Sequence, residues 1–250
     1  MRVERSAGPS RVFLAGVAAL ALSVTIAAAA AARLPKGSEP VALDPAEFTT
    51  KIDNPYFPLR PGSRWVYHET DVAGNSREKI VVTVKKRTKL IANGIEARVV
   101  RDVATEDGEK LEVTDDWYAQ DEDGNVWYLG EATTEFKDGK PDTTAGSFEA
   151  GVDGAQPGVI MAAKPRPGLR YRQEYYEGEA EDRAKVIKLD GRAEVPFGSF
   201  DELVVTKDTS PLDTPKVYEK KSYARGIGLV RAVKISGGEG REVLVKFRRR

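Results

Sequence analysis

The chain reads as an all-β protein. It is expected to be an antiparallel meander of about 10–12 strands, enough to curl into a barrel or half-barrel, preceded by an N-terminal signal helix. Three observations predict this. Turn-forming pairs recur at Asn93-Gly94, Asp107-Gly108, Asp123-Gly124 and Asp138-Gly139, spaced 14, 16 and 15 residues apart, and such pairs accept the positive φ angles of tight hairpins. The runs between them favour strands: KIVVTV at 79–84, IEARVVRDV at 95–103, KLEVT at 110–114 and VWYL at 126–129. No window of helical length places apolar residues at helical spacing.

The elements follow in order. Arg2, Arg5 and Arg11 stand against one acid, Glu4, ahead of the 21-residue run Val12–Ala32. A positive start, an apolar middle and a small-residue end make a secretory signal, with A-x-A cleavage registers around Ala28 to Ala32. The run is also long enough to span a bilayer, so an uncleaved signal anchor is the alternative. Either way the rest of the chain is exported, and contact with a membrane is through this segment alone. The expected boundaries are a signal at 1–32, a linker at 33–53 and a single β-rich domain at 54–250. Arg33 to Pro45 has the proline, glycine and small residues of such a linker. In Asn54-Pro55-Tyr56-Phe57-Pro58-Leu59-Arg60-Pro61-Gly62 the prolines forbid a helix. Its apolar side chains are expected to pack over one end of the domain.

After the four hairpins, Pro141 to Gly168 breaks the rhythm and reads as a long crossover. Strands resume at Tyr171–Tyr176 and Ala184–Leu189, with a turn expected at Asp190-Gly191. Leu203–Lys207, Val217–Tyr223, Leu229–Ile235 and Val243–Phe247 follow, with the last turn at Gly237-Gly238. Closing so many strands on themselves removes adhesive sheet edges.

The chain has no cysteine, which excludes disulfides, thiolate metal sites, thiol nucleophiles and a lipid-modified cysteine. Its 39 basic and 39 acidic residues become 36 against 38 without residues 1–32. That balance argues against a nucleic-acid partner. The lone histidine, His68, has no second histidine or cysteine with which to build nucleophilic machinery. There is neither a G-x-S-x-G elbow nor a phosphate loop, and Arg225-Gly226-Ile227-Gly228 leads into a strand rather than a helix. No catalytic residue and no cofactor is assigned.

The residues that stand out are aromatic and acidic. Trp117 and Trp127 flank one turn, and Trp65 and Tyr67 open the domain. Asp121, Asp123 and Asn125 alternate like the first ligands of a calcium loop, but the glycine and the closing glutamate of that loop are misplaced, so they are only weak metal candidates. Glu174 to Asp182 reads as an acidic hairpin tip.

Long motifs also resemble a group of uncharacterised bacterial exported proteins. They are Asn54-Pro55-Tyr56-Phe57-Pro58-Leu59-x-Pro61-Gly62-Ser63-x-Trp65-x-Tyr67 and Asp116-Trp117-Tyr118-Ala119-Gln120-Asp121-x-x-Gly124-Asn125-Val126-Trp127-Tyr128-x-Gly130-Glu131. Ser147 to Ala155, Tyr171 to Glu174 and Tyr223 to Val230 extend the match from about residue 54 to the C-terminus. The resemblance implies a meandering β-rich fold and export. It brings no activity and no catalytic residue.

The preferred reading is a non-catalytic protein of the cell envelope. It would enclose an apolar or amphipathic small molecule against the concave sheet, with Trp65, Tyr67, Trp117, Trp127, Ile160 and Met161 as its wall and Val159 to Ala163 as a lid. One alternative is a carbohydrate-active hydrolase with two carboxylates drawn from Asp116, Asp121, Glu131, Glu149 and Asp153, which must share one cleft at about 5–10 Å. The other is a structural module that pairs through an open sheet edge.

Overall fold

A computed structural model describes residues 34–71 and 76–250. The predicted signal segment lies outside the described residues. The turn pairs behave as their chemistry requires. Asp107 and Asp138 take φ angles of 50° and 51°, followed by Gly108 at 88° and Gly139 at 72°. These double positive-φ turns match the twist of the strands they join.

The strands in chain order are β1 (Phe48–Thr49), β2 (Arg64–Thr70), β3 (Ser76–Leu90), β4 (Glu96–Glu106), β5 (Glu109–Asp121), β6 (Val126–Lys137), β7 (Lys140–Thr143) and β8 (Phe148–Glu149). Then come β9 (Gln156–Met161), β10 (Arg170–Arg172), β11 (Glu174–Tyr175), β12 (Arg183–Val195), β13 (Gly198–Thr209), β14 (Tyr218–Ala224), β15 (Gly228–Ser236) and β16 (Arg241–Arg248). These sixteen strands of the described residues exceed the 10–12 expected, because β1, β7, β8 and β9 lie in the stretches read as linker and crossover, and the expected strand 171–176 is divided between β10 and β11. The wall runs β10-β12-β13-β14-β15-β16-β2-β3-β4-β5-β6-β9-β11. All its pairings are antiparallel, and β16 returns to lie against β2.

The barrel is nearly closed, and one stretch of chain nearly seals it. β10 pairs with β12 at one end of the sheet, and β11, one residue further on, pairs with β9 at the other. The seam is tight at Gly158, where any side chain would overlap the Gln173 backbone.

Three expectations are corrected. Val159 to Ala163 is no lid: Val159 and Met161 belong to β9 and are fully buried in the wall. Asp190-Gly191 is no turn: it lies inside β12, where register shifts mark bulges against β13, and a side chain at Gly191 would strike Val205. The reversal comes at Pro196-Phe197, between β12 and β13.

The third correction concerns residues 34–53, which are a strap rather than a free linker. The Pro35 carbonyl accepts from the Arg172 backbone N–H at 2.8 Å. The Arg172 guanidinium donates to the carbonyls of Gly37 and Glu39, both at 2.6 Å, and of Pro157 at 3.0 Å. β1 then pairs with β5. Leu34, Val41, Leu43 and Phe48 of the strap pack against the core, and carbonyls of its first residues are held by one buried arginine from the seam.

Residues 54–62 pack over one end of the barrel, as their apolar content required. Asn54 Nδ2 donates to the carbonyls of Gly124 and Ala162, and Gln120 Oε1 accepts from the backbone N–H groups of Asp53 and Asn54. The Gly226 N–H reaches the Pro55 carbonyl at 2.6 Å. So held, Phe57 sits edge-on to Tyr118, at 5.5 Å between ring centroids, and 6.4 Å from Tyr223. It plugs the interior between β5 and β14.

Candidate functional site

Residues paired across antiparallel strands share a face, so the register identifies what points inward. Trp65, Tyr67 and Glu69 of β2 stand beside Val82, Ile80 and Glu78 of β3. Ile80 and Val84 lead to Ala104 and Val100 of β4. Val100, Asp102 and Ala104 lead to Asp116, Thr114 and Glu112 of β5. In the other direction Tyr67 and Glu69 meet Leu244 and Glu242 of β16. On β14, Lys221 stands beside Thr206, and Glu219 beside Asp208.

This face surrounds a cavity of about 320 Å³. Its plugged end is formed by Phe57, Leu59, Trp65 and Ile227, and its deeper wall carries Asp102, Asp116, Tyr118, Lys221, Tyr223 and Glu242. Asp102 also borders a second hollow of about 440 Å³, with Glu78, Glu112, Glu135 and Phe136. That hollow lies toward the opposite end of the strands, where β4 turns into β5 and β6 into β7. The Trp65 indole N–H donates to the Ile227 carbonyl at 2.9 Å, and the Tyr67 hydroxyl donates to the Leu229 carbonyl at 3.0 Å. Both rings are thereby fixed across the interior.

Of the six wall residues expected from sequence, Trp65, Tyr67 and Ile160 line the cavity. Trp117, Trp127 and Met161 do not. Trp117 lies between Asp116 and Tyr118, so strand alternation sends it to the other face, where the Lys89 ammonium rests 4.4 Å over its ring. Trp127 is 1% exposed. It packs edge-on to Phe48, and its indole N–H donates to Asp121 Oδ2 at 2.7 Å. The weak metal candidates are committed to the same turn. Asp121 Oδ1 accepts from the Asn125 N–H at 2.7 Å, Asp121 Oδ2 accepts from Asn125 Nδ2 at 2.8 Å, and Asn125 Oδ1 accepts from the Ala163 N–H at 2.8 Å. Asp123 is exposed at its tip. Among the described residues no group of three or more acidic or histidine side chains is arranged to hold a metal ion.

The paired carboxylates are likewise mostly dispersed. Glu149 binds the Lys89 ammonium and the Ala92 N–H, and Asp153 is exposed in a turn. Only Asp116 and Glu131 come together, each 2.8 Å from the Tyr128 hydroxyl. A phenol has one proton to donate, so one of the two acids must be protonated and donate to the phenol oxygen. Burial, followed by Glu131, pushes Asp116 well above the usual carboxylate range, and burial raises Glu131 as well. The Tyr128 hydroxyl thus occupies the gap between the two acids.

What sequence reasoning missed is the acidity of the interior. Burial first, then the charge of Glu112, lifts Asp102 to about 7. Burial, then Asp102 and Glu219, lifts Glu242 to about 8. Burial and Asp182 raise Glu174 well above its ordinary value. Burial opposes the charge of Lys221, but Asp208 at 3.3 Å and Glu219 at 3.4 Å outweigh it and hold the ammonium protonated. The available signal was Asp102, a carboxylate in the middle of the apolar strand run 95–103.

No family model matches the chain, and neither does any curated protein. Among solved structures it is similar to a Bacteroides fragilis protein taken to be exported, with a YmcC-like fold. The TM-score is 0.50 at 15% identity, over 78% of this chain and 99% of that one. It is also similar to a Parabacteroides distasonis protein taken to be a lipoprotein, with TM-score 0.44 and 16% identity over 77% and 98% of the two chains. The first likeness shows the fold that the two chains share.

Proposed function

We propose that this is an exported carrier that encloses an apolar or amphipathic small molecule inside its barrel at the cell envelope. The observation that supports it most is the cavity of about 320 Å³ bordered by Trp65, Tyr67, Ile160, Phe57 and Leu59. Aromatic and aliphatic walls with a few polar groups are what small-molecule sites are made of. A packed core of the same residues would leave no such space. Export is supported by the charged, apolar and small-residue parts of 1–32, and by the resemblance of its long motifs to uncharacterised bacterial exported proteins.

Of the five acids on which the hydrolase reading rests only Asp116 borders the cavity, and Tyr128 bridges it to Glu131. The edge-pairing reading has β12 to draw on, since β10 covers it only at Arg183–Lys185, but no observation favours a partner there.

Native mass spectrometry of protein purified from its own host tests the carrier reading. The expected result is a stoichiometric small-molecule adduct that is released on denaturation. A spectrum showing only the bare polypeptide would count against it. The same spectrum gives the mass of the mature chain, and so the fate of residues 1–32.

A further inference from the structure

The cavity is sorted by polarity along its axis. Its plugged end is aromatic and aliphatic, at Phe57, Trp65 and Ile227, whereas the wall beyond carries Asp102, Asp116, Glu219 and Glu242. Among the described residues Lys221 is the one cation bordering it, and that ammonium is already engaged by Asp208 and Glu219. The register builds this collar strand by strand: Glu242 lies beside Glu69, and Glu69 beside Glu78. Ala104 of β4 lies beside Glu112, and Val100 beside Asp116. Carboxylates stacked side by side across strands destabilise a sheet, unless something positive shares the space; Lys234 does so for Glu69, at 3.6 Å, and lies outside the cavity lining.

A ring of acids does not by itself make a site, and Tyr118 supplies the independent mark of one. Its side chain borders the cavity and is 8% exposed. Its ring stacks on Tyr128, at 4.9 Å between centroids. Its hydroxyl has no hydrogen-bond partner among the described residues and is not among the fully buried polar atoms, so it opens onto the cavity, where an occupant can bond it. The rings of Tyr67 and Tyr223 complete an aromatic surround, and ring faces attract cations, most strongly where water is excluded.

We infer that the occupant carries a positively charged head, a primary amine or quaternary ammonium group. The head lies among Asp102, Asp116 and Glu242, and the apolar tail rests against Trp65 and Phe57. The inference depends on the carrier reading and adds to it the chemical class of the ligand. A neutral head would gain only hydrogen bonds here, and an anion would be repelled.

The groups that face Asp102 and Glu242 set the pH dependence. They are Glu69 and Glu78 from β2 and β3, with Lys234 of β15 paired to Glu69, Glu112 and Asp116 from β5, and Glu131 from β6. From β14 come Glu219 and Lys221, with Asp208 behind them on β13. An empty collar holds protons, Asp102 up to about 7 and Glu242 up to about 8. A bound cation favours the ionised carboxylates and expels those protons. Affinity for a permanent or high-pKa cation therefore rises from about pH 6 to about pH 9, while affinity for an uncharged probe stays flat.

Isothermal titration calorimetry with octylammonium, octanol and octyl sulfate at pH 8 tests this. Octylammonium is expected to bind at least about tenfold more tightly than octanol, with octyl sulfate weakest. In the Asp102→Asn, Glu242→Gln double variant the advantage over octanol should vanish. Should that variant fail to fold, the wild-type pH series decides: an octylammonium affinity that does not rise between pH 6 and pH 9 overturns the inference. Equal affinities for the three probes, or tightest binding of octyl sulfate, also overturn it and leave the carrier reading standing. If none of the three binds, the carrier reading fails and takes the inference with it.

Discussion

Trp65 does two things at once. Its indole forms part of the cavity wall, stacking near Phe247 at 5.0 Å, and its N–H ties β2 to the carbonyl of Ile227 in the β14–β15 turn. Trp65→Phe keeps an aromatic wall but leaves that carbonyl without its donor, and is expected to cost roughly 1–3 kcal/mol in urea denaturation. A midpoint equal to that of the parent would show that the bond contributes nothing. Titration adds a second expectation at this scale. Asp102 and Glu242 bind their protons more tightly in the folded chain than in the unfolded one, where carboxyls titrate near pH 4. The stability they contribute is complete below about pH 4 and is lost as pH rises through 7 and 8. The melting temperature should therefore fall between pH 5 and pH 9. Asp102→Asn with Glu242→Gln should flatten that slope, because neither amide titrates. A slope unchanged in the double variant would place its origin elsewhere.

The seam is the element on which enclosure depends. The segment 170–175 serves both ends of the sheet, and Gly158 lets β9 approach it with no side chain between. Gly158→Ala is expected to force β9 and β11 apart and to cost about 2 kcal/mol or more, in line with overpacking at a backbone contact. Hydrogen exchange should quicken at Gln156–Met161 while the β3–β4–β5 hairpins stay protected; uniform exchange across the barrel would deny the seam this role. Arg172→Ala should likewise free residues 34–43 to proteolysis, since three carbonyls lose their donor. Elements such as these set the limit of what the sequence discloses. The long hairpins were legible because Asp-Gly and Asn-Gly pairs punctuate alternating strands. The division of 171–176 into β10 and β11 was not, because each is two or three residues long and the two pair with opposite ends of the sheet. Asp190-Gly191 misled because a glycine that permits a turn also permits a bulge. Tertiary contact with Val205 decides between them.

At the scale of the whole molecule, an almost neutral chain hides a division of charge. Acids gather inside the barrel, while cations such as Lys36, Arg170, Arg183, Lys185, Lys207 and Lys216 border a groove along β10, β12 and β14. Composition reports only the sum, and the sequence reading accordingly found the aromatic residues and passed over the acids. Half of the expected wall residues line the cavity because alternation was readable at Trp65 and Tyr67. Trp117 and Trp127 belong to strands with large side chains on both faces, and in such strands neither face declares itself as the inner one. The account's central claim is that the interior is a binding space rather than a filled core. Val82 borders that space beside Trp65, so Val82→Phe tests the claim most directly. The measurement is octanol affinity of this variant against the parent, with thermal melts run on both. The account predicts a variant that melts close to the parent, since the added ring enters empty volume, and that loses at least about tenfold in affinity. A variant that binds octanol as the parent does would contradict it, as would one destabilised by the 1–3 kcal/mol typical of overpacking a filled core.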